Sequence, residues 1–157
     1  MHLLDLLSPA RVRVDLAAPG KKRLLEQLAT VLTAGTGGDT ERSVYESLCS
    51  RERLGSTGLG HGVAIPHGRC ARAGQAIGAF VRLSDPVDFG APDGEPVDLL
   101  FALVVPEHYA QQHLMLLSQL AEMFGDEAFR GQLRAAADSA ALYRLLSDWQ
   151  AAHDAAA

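Results

Sequence analysis

The sequence predicts a single α/β domain in which helices flank a central mixed β-sheet. Three observations carry that expectation. Val97 to Val105 is a nearly continuous apolar run, the pattern of a strand buried on both faces. Leu24, Leu25, Leu28, Val31 and Leu32 recur at helical spacing. Between them, Val63-Ala64-Ile65 reads as a short buried strand inside a glycine-rich segment. Strands mixed with helices in this way pack as one layered sandwich.

The elements follow in order. Pro19-Gly20 breaks the chain before the first helix, and Gly35 to Gly38 ends that helix. Thr40 is the expected N-cap of a second helix, which runs to about Arg53 and carries Val44, Leu48 and Cys49 inward. Pro66 is expected to stop the strand Val63-Ala64-Ile65. Ile77 to Leu83 reads as a strand stopped by Asp85-Pro86, and Pro92-Asp93-Gly94 is turn chemistry. Pro106 closes the apolar run. A helix is then expected from Glu107 to about Phe124, with two more near Asp126–Ala135 and Ser139–Ala152. The tail Ala155-Ala156-Ala157 is expected to fray. One domain is expected over residues 1–157, with its ordered core at about 3–150.

Composition narrows the function. A chain of 157 residues can build one core and is too short for two. Its 48% hydrophobic and 21% charged residues are ordinary for a globular protein. No apolar run approaches the ~20 residues that a membrane helix needs, so no membrane insertion is expected. Met1-His2-Leu3-Leu4-Asp5 has no basic region of the kind that opens a signal peptide, which points to the cytoplasm. Cys49 and Cys70 make no disulfide framework and read as reduced thiols. The formal net charge of −5 argues against nucleic-acid binding. Lys21-Lys22-Arg23 opens the first helix and reads as a solvated face.

The chemistry concentrates in Gly58-Leu59-Gly60-His61-Gly62-Val63-Ala64-Ile65-Pro66-His67-Gly68. The glycines let the backbone turn sharply and come close to a ligand. His67 follows a proline with its chain direction fixed. A histidine held beside exposed backbone N–H groups suits the receipt of a phosphoryl group, with imidazole as nucleophile. Arg51, Arg53, Arg69 and Arg72 flank the segment, so an acidic chain is locally basic there. A planar guanidinium neutralises phosphoryl oxygens well. Ser56 and Thr57 read either as hydroxyl donors to phosphate or as turn residues. His113 precedes Leu116, Leu117 and Leu120 on the inward side of its helix, as a core histidine or as support for the site. His108, on another helical face, reads as a surface residue.

Other chemistries are absent from the pattern. Val63 stands where a dinucleotide fingerprint needs its third glycine, and no strand precedes the motif. There is no G-x-x-x-x-G-K-[ST]. Leu54 occupies the position where a nucleophile elbow needs glycine. Six scattered histidines and two cysteines form no metal-ligand spacing.

Gly55-Ser56-Thr57-Gly58 followed by G-x-G-V-A-I-P-H-G resembles the phosphorylation site of bacterial phosphotransferase-system enzyme IIA proteins. The likeness is to the fructose/mannitol superfamily and, within it, the nitrogen-regulatory branch. Arg51-Glu52-Arg53, the block Pro96 to Pro106 and His113-Leu114 fall at matching places, so it covers nearly the whole chain. His61 departs from it, where relatives carry an amide or another polar residue; a surface position is expected.

The resemblance implies a mannitol-type enzyme IIA fold and a phosphocarrier that uses neither metal nor nucleotide cofactor. It implies His67 as the acceptor, through Nε2, with Nδ1 held by a backbone carbonyl. It implies a supporting role for His113, a phosphate contact at Arg51, and phosphate binding around Ser56, Thr57, Gly60 and Gly62. The implied donor is a phosphohistidine on an HPr-like protein. A transporter, a kinase or an IIB domain would be the acceptor or regulated target. The expected function is that of a nitrogen-regulatory component; the alternatives are a sugar-specific enzyme IIA feeding an IIB domain and a purely regulatory binding module. No IIB or HPr-like segment is fused to the domain, which leans toward regulation.

Overall fold

The computed structural model describes residues 3–34, 40–70 and 75–156. Its centre is strand β6, Val97–Pro106, in which Leu99 to Val105 are 3% exposed or less. Alternate residues of this strand serve opposite cores. Leu100, Ala102 and Val104 pack with Leu24, Leu28 and Leu32 of α1 (Lys21–Thr33) and with Val44 and Leu48 of α2 (Glu41–Glu52). Leu99, Phe101, Leu103 and Val105 pack with Leu116 and Leu120 of α3 (Ala110–Phe124), Leu133 of α4 (Glu127–Ala135) and Leu142 and Leu146 of α5 (Ser139–Ala156). Both faces are covered by helices, which is why the strand reads as a continuous apolar run.

The sheet has six strands and is mixed. β1 (Val12–Leu16) runs parallel to β5 (Ile77–Val87), and β5 runs antiparallel to β6. On the other side, β3 (Val63–Ala64) and β4 (His67–Cys70) both lie parallel to β6. β2 (Gly58–Gly60) pairs antiparallel with β3. The expected α/β sandwich with a mixed sheet is therefore what forms.

Several local expectations need correction. Pro66 does not end the pairing: Val63 pairs with Leu99 before it and His67 pairs with Leu103 after it. The Leu103 N–H donates to the Pro66 carbonyl at 2.9 Å, so proline interrupts only its own donor. β5 runs through Asp85-Pro86 to Val87, where the pairing with β6 shifts register and Ser84 to Pro86 are exposed. Proline is tolerated at such a bulge. β1 was not expected, although Val12, Val14 and Leu16 alternate with Arg13 and Asp15. α3 begins at Ala110 rather than Glu107, because Glu107 and His108 form a turn. α5 continues to Ala156, so Ala155 and Ala156 are helical rather than frayed. α1 ends at Thr33; Gly35 to Gly38 lie outside the described residues, as does Ala157. Thr40 caps α2 as expected, accepting from the Ser43 N–H at 3.1 Å.

Gly68 sets the distance between α2 and β4. A Cβ there would overlap the Ser47 hydroxyl and come within 3.0 Å of the Ser47 carbonyl carbon. Only a residue without a side chain lets the helix lie this close. Gly68→Ala is expected to lower stability by about 1–3 kcal/mol through overpacking. A shift of the urea midpoint to lower concentration with unchanged m-value checks this.

Candidate functional site

His67 opens β4, and its register with Leu103 fixes where its side chain leaves the sheet. The ring Nδ1 lies 2.7 Å from the Ile65 carbonyl oxygen. A carbonyl only accepts, so the neutral ring carries its proton on Nδ1 and presents a lone pair at Nε2. The ring is half-buried. Burial is the main cause that pulls its pKa below the ordinary imidazole value. The Ile65 hydrogen bond and Glu52 oppose this, while Arg51 and Arg69 reinforce it. His67 is thus pushed toward its neutral form, with Nε2 as the unprotonated nitrogen.

His113, on the first turns of α3, faces it. The two rings meet edge to face with centroids 5.1 Å apart. His113 is only 5% exposed. The Arg69 Nε–H points at its Nδ1 across 3.5 Å, which assigns the His113 proton to Nε2. That Nε2 is buried and has no hydrogen-bond partner among the described residues. Burial, followed by the charges of His67 and Arg69, lowers the His113 pKa to about 4. A neutral donor N–H is therefore left unanswered beside His67, an arrangement that normally costs free energy.

α2 closes the third side. Ser47, Ser50, Arg51 and Leu54 follow one another at helical spacing and face a cleft of about 500 Å³ that also holds His67, Arg69 and His113. Arg51 Nη1 donates to the Gly55 carbonyl at 2.8 Å, so one edge of its guanidinium is anchored. At the rim, Leu54 is 84% exposed and Leu114 is 68% exposed.

The structure brings together His67, His113, Arg51 and Arg69. It does not bring Ser56, Thr57, Gly60 and Gly62 to the cleft. The Ser56 hydroxyl donates to the Phe89 carbonyl at 2.8 Å, and Thr57 bonds Glu52 through both its N–H and its hydroxyl. Gly60 and Gly62 have φ of 93° and 78° and shape the turn between β2 and β3. Gly62 lies against Arg134 and Asp98 instead of the cleft. These four residues build the loop before the site. His61 is exposed at φ 58°, with its N–H on Asp93 at 2.8 Å and its carbonyl on Arg134 at 2.6 Å. Its ring does not line the cleft. Arg53 is exposed at the end of α2, His108 is exposed beside Tyr109, and Arg72 lies outside the described residues. Sequence reasoning missed Ser47, Ser50, Leu54 and Leu114. The helical stripe that ends on Arg51 and Leu54 was the available signal. Lys21 corrects another expectation: it forms an ion pair with Glu52 at 2.8 Å instead of facing solvent. Among the described residues, no three His, Cys, Asp or Glu side chains converge as metal ligands.

Residues 5–149 match the family described as phosphoenolpyruvate-dependent sugar phosphotransferase system, EIIA 2. The chain belongs to this EIIA type-2 family. It is 43% identical over 150 residues to a nitrogen regulatory protein of Pseudomonas aeruginosa, covering 96% of this chain and 97% of that one. A nitrogen regulatory protein of Bradyrhizobium diazoefficiens is 40% identical over 147 residues, covering 94% and 95%. The crystal structure of the nitrogen regulatory protein IIA-Ntr from Neisseria meningitidis superposes with a TM-score of 0.87 at 42% identity, covering 92% of this chain and 98% of that one. Among the described residues of the EIIA domain, no helix is long and apolar enough to cross a membrane.

The low His113 pKa has a consequence for stability. Folded His113 takes up its proton only near pH 4, whereas the unfolded chain does so at the ordinary value of 6.5. Between these values the unfolded state binds more protons, so stability must fall as pH falls. The full contribution is present above pH 6.5 and is lost progressively as the pH falls to 4 and below. His67 acts in the same direction. His113→Gln is expected to flatten the slope of unfolding free energy against pH in this window, leaving the part due to His67. Urea titrations from pH 7 to pH 4 check it.

Proposed function

We propose that this EIIA type-2 protein is a phosphocarrier of the nitrogen-regulatory kind. His67 accepts a phosphoryl group from the phosphohistidine of an HPr-like protein, and the phosphorylation state controls a transporter, a kinase or another target. The observation that carries the reading is the Nδ1 contact of His67 with the Ile65 carbonyl, which leaves the lone pair on Nε2 of a ring that shares its cleft with Arg51 and Arg69.

The chemistry is an in-line displacement. The Nε2 lone pair of His67 forms the new N–P bond while the donor's N–P bond breaks, and that electron pair returns to the donor imidazole. The His67 ring becomes cationic, and its Nδ1–H stays bonded to Ile65. Arg51 and Arg69 neutralise the equatorial oxygens. The unpaired His113 Nε2–H finds an oxygen acceptor only when the phosphoryl group arrives. Leu54 and Leu114 cover the donor protein and exclude water during transfer.

The names of the relatives support the regulatory branch. Those called nitrogen regulatory reach 43% and 40% identity across nearly the full chain. The fructose-specific EIIABC component of Bacillus subtilis is 29% identical and is matched over 23% of its length. That relative keeps a sugar-specific role, with transfer to an IIB domain, as the second reading.

Incubation with a phosphorylated HPr-like donor is expected to add one acid-labile, base-stable phosphoryl group to the wild type and none to His67→Ala. Intact mass spectrometry reads this. Labelling of the alanine variant at the wild-type rate refutes the assignment.

Arg51→Ala is expected to slow transfer roughly ten- to a hundred-fold, the worth of a charge-assisted hydrogen bond of about 1.5–3 kcal/mol made mainly in the transition state. Arg51→Lys should recover only part of the rate, because it lacks the planar fork. Arg144→Ala on α5, outside the cleft, serves as the control at fixed salt. Equal small losses for Arg51→Ala and Arg144→Ala reduce the arginines to a diffuse field.

A further inference from the structure

Three consecutive charges end α2: Arg51, Glu52 and Arg53. Neighbours on a helix diverge by about 100°. Arg51 turns to the cleft, whereas the Glu52 side chain turns inward and is 5% exposed. Three groups hold it there. Lys21 Nζ is 2.8 Å from Oε2, the Thr57 N–H donates to Oε2 at 3.2 Å, and the Thr57 hydroxyl makes a short bond to Oε1. Lys21 is itself anchored. It donates to the Phe89 carbonyl at 3.1 Å and lies 4.4 Å above the Phe89 ring. The cluster therefore ties the start of α1 and the end of α2 to the loop that leads into the site.

A buried carboxylate must keep its partners, because an unpaired buried charge is strongly unfavourable. If Lys21 is removed, the nearest cations along the chain are the two arginines beside Glu52. Either pairing pulls the end of α2 out of place or neutralises the guanidinium that faces His67. Arg51 has no carboxylate partner among the described residues; its guanidinium donates to the Gly55 carbonyl.

We infer that Glu52 is a positioning residue: clamped by Lys21 and Thr57, it fixes the end of α2 and leaves the Arg51 guanidinium free to face His67. This rests on the phosphocarrier reading for its kinetic consequence only. Lys21, on a different helix and outside the cleft, becomes part of the working site through Glu52. Among the described residues, the charged and titratable groups around His67 are Arg51 and Glu52 from α2, Arg69 from β4 and His113 from α3. Glu52 supports the basicity of His67 against both arginines.

The test uses the full chain with a phosphorylated HPr-like donor, and follows the His67 ring by NMR titration. Lys21→Met is expected to slow transfer about tenfold and to raise the His67 pKa, since a cation is lost and Arg51 is neutralised. Glu52→Gln is expected to slow transfer while lowering the His67 pKa. Lys21→Arg should stay within about twofold of wild type, because it keeps the cation. Arg23→Ala, which breaks an exposed pair with Glu26 on α1, should leave rate and titration unchanged. Loosened packing alone would move the two titrations in the same direction, so shifts of like sign overturn the inference. So does a wild-type rate in Lys21→Met. If Glu52→Gln does not fold, Lys21→Met against Lys21→Arg carries the test, and a rate equally reduced in both overturns it. If the wild type takes no phosphoryl group, the phosphocarrier reading fails by itself. The Arg51 guanidinium N–H resonances then decide the clamp: a shift in Lys21→Met that Lys21→Arg does not show sustains it, and unmoved resonances in Lys21→Met overturn it.

Discussion

The structure depends on one pairing: the segment around Pro66 laid parallel against β6. β6 is buried on both faces, so its backbone groups must be satisfied by neighbouring strands. Pro66 has no N–H to offer, yet its carbonyl takes the Leu103 N–H and keeps the register intact. Ile65 turns the other way. Its N–H bonds the Thr57 carbonyl, and its own carbonyl is left for His67 Nδ1. The same two residues thus hold the sheet together and choose the tautomer of the histidine. Shifting this register by one residue would move His67 to the opposite face of the sheet and replace the cleft by core.

Burial and charge divide the work in the cleft. Both imidazoles are pushed toward neutrality mainly by burial. Positive charge is left to the guanidiniums, which keep it at any physiological pH. A cationic His113 would compete with those arginines and would forfeit the burial that orients it. As a neutral donor it contributes a directed N–H at no electrostatic cost. The sign reverses once a phosphoryl group is bound, since an anion next to an imidazole raises its pKa.

Much of this was legible in the sequence, for physical reasons. β6 was readable because two covered faces demand apolar residues at every position. α1 was readable from its stripe of leucines, and the Thr40 cap from its place before an amphipathic run. His67 stood out because glycines and a proline rarely converge on a histidine without a constrained backbone. β1 was passed over, being only five residues long at a sheet edge with charged residues on its outer face. The fault at Ser56, Thr57, Gly60 and Gly62 was one of direction. Proximity along the chain was read as proximity in space. Those residues do not line the cleft that holds His67, and the polar atoms of Ser56 and Thr57 are spent on Phe89 and Glu52 while Gly60 and Gly62 shape the turn. Lys21 was read as solvated for the opposite reason, since its partner lies 31 positions along the chain and only folding brings them together.

The cleft is open, and its openness fits the way such chemistry is supplied. An enzyme acting on a small substrate can close over it and provide every contact itself. Here Leu54 and Leu114 remain exposed at the rim and the His113 donor remains unpaired. Each is unfavourable in the isolated chain. Both are relieved together if a second protein covers the rim while delivering an anionic group to Nε2. On the proposed reading, the exposed rim suits an apolar cover and the His113 N–H suits an oxygen acceptor. A phosphorylated protein partner supplies both at once, whereas a free phosphate ion supplies only the second.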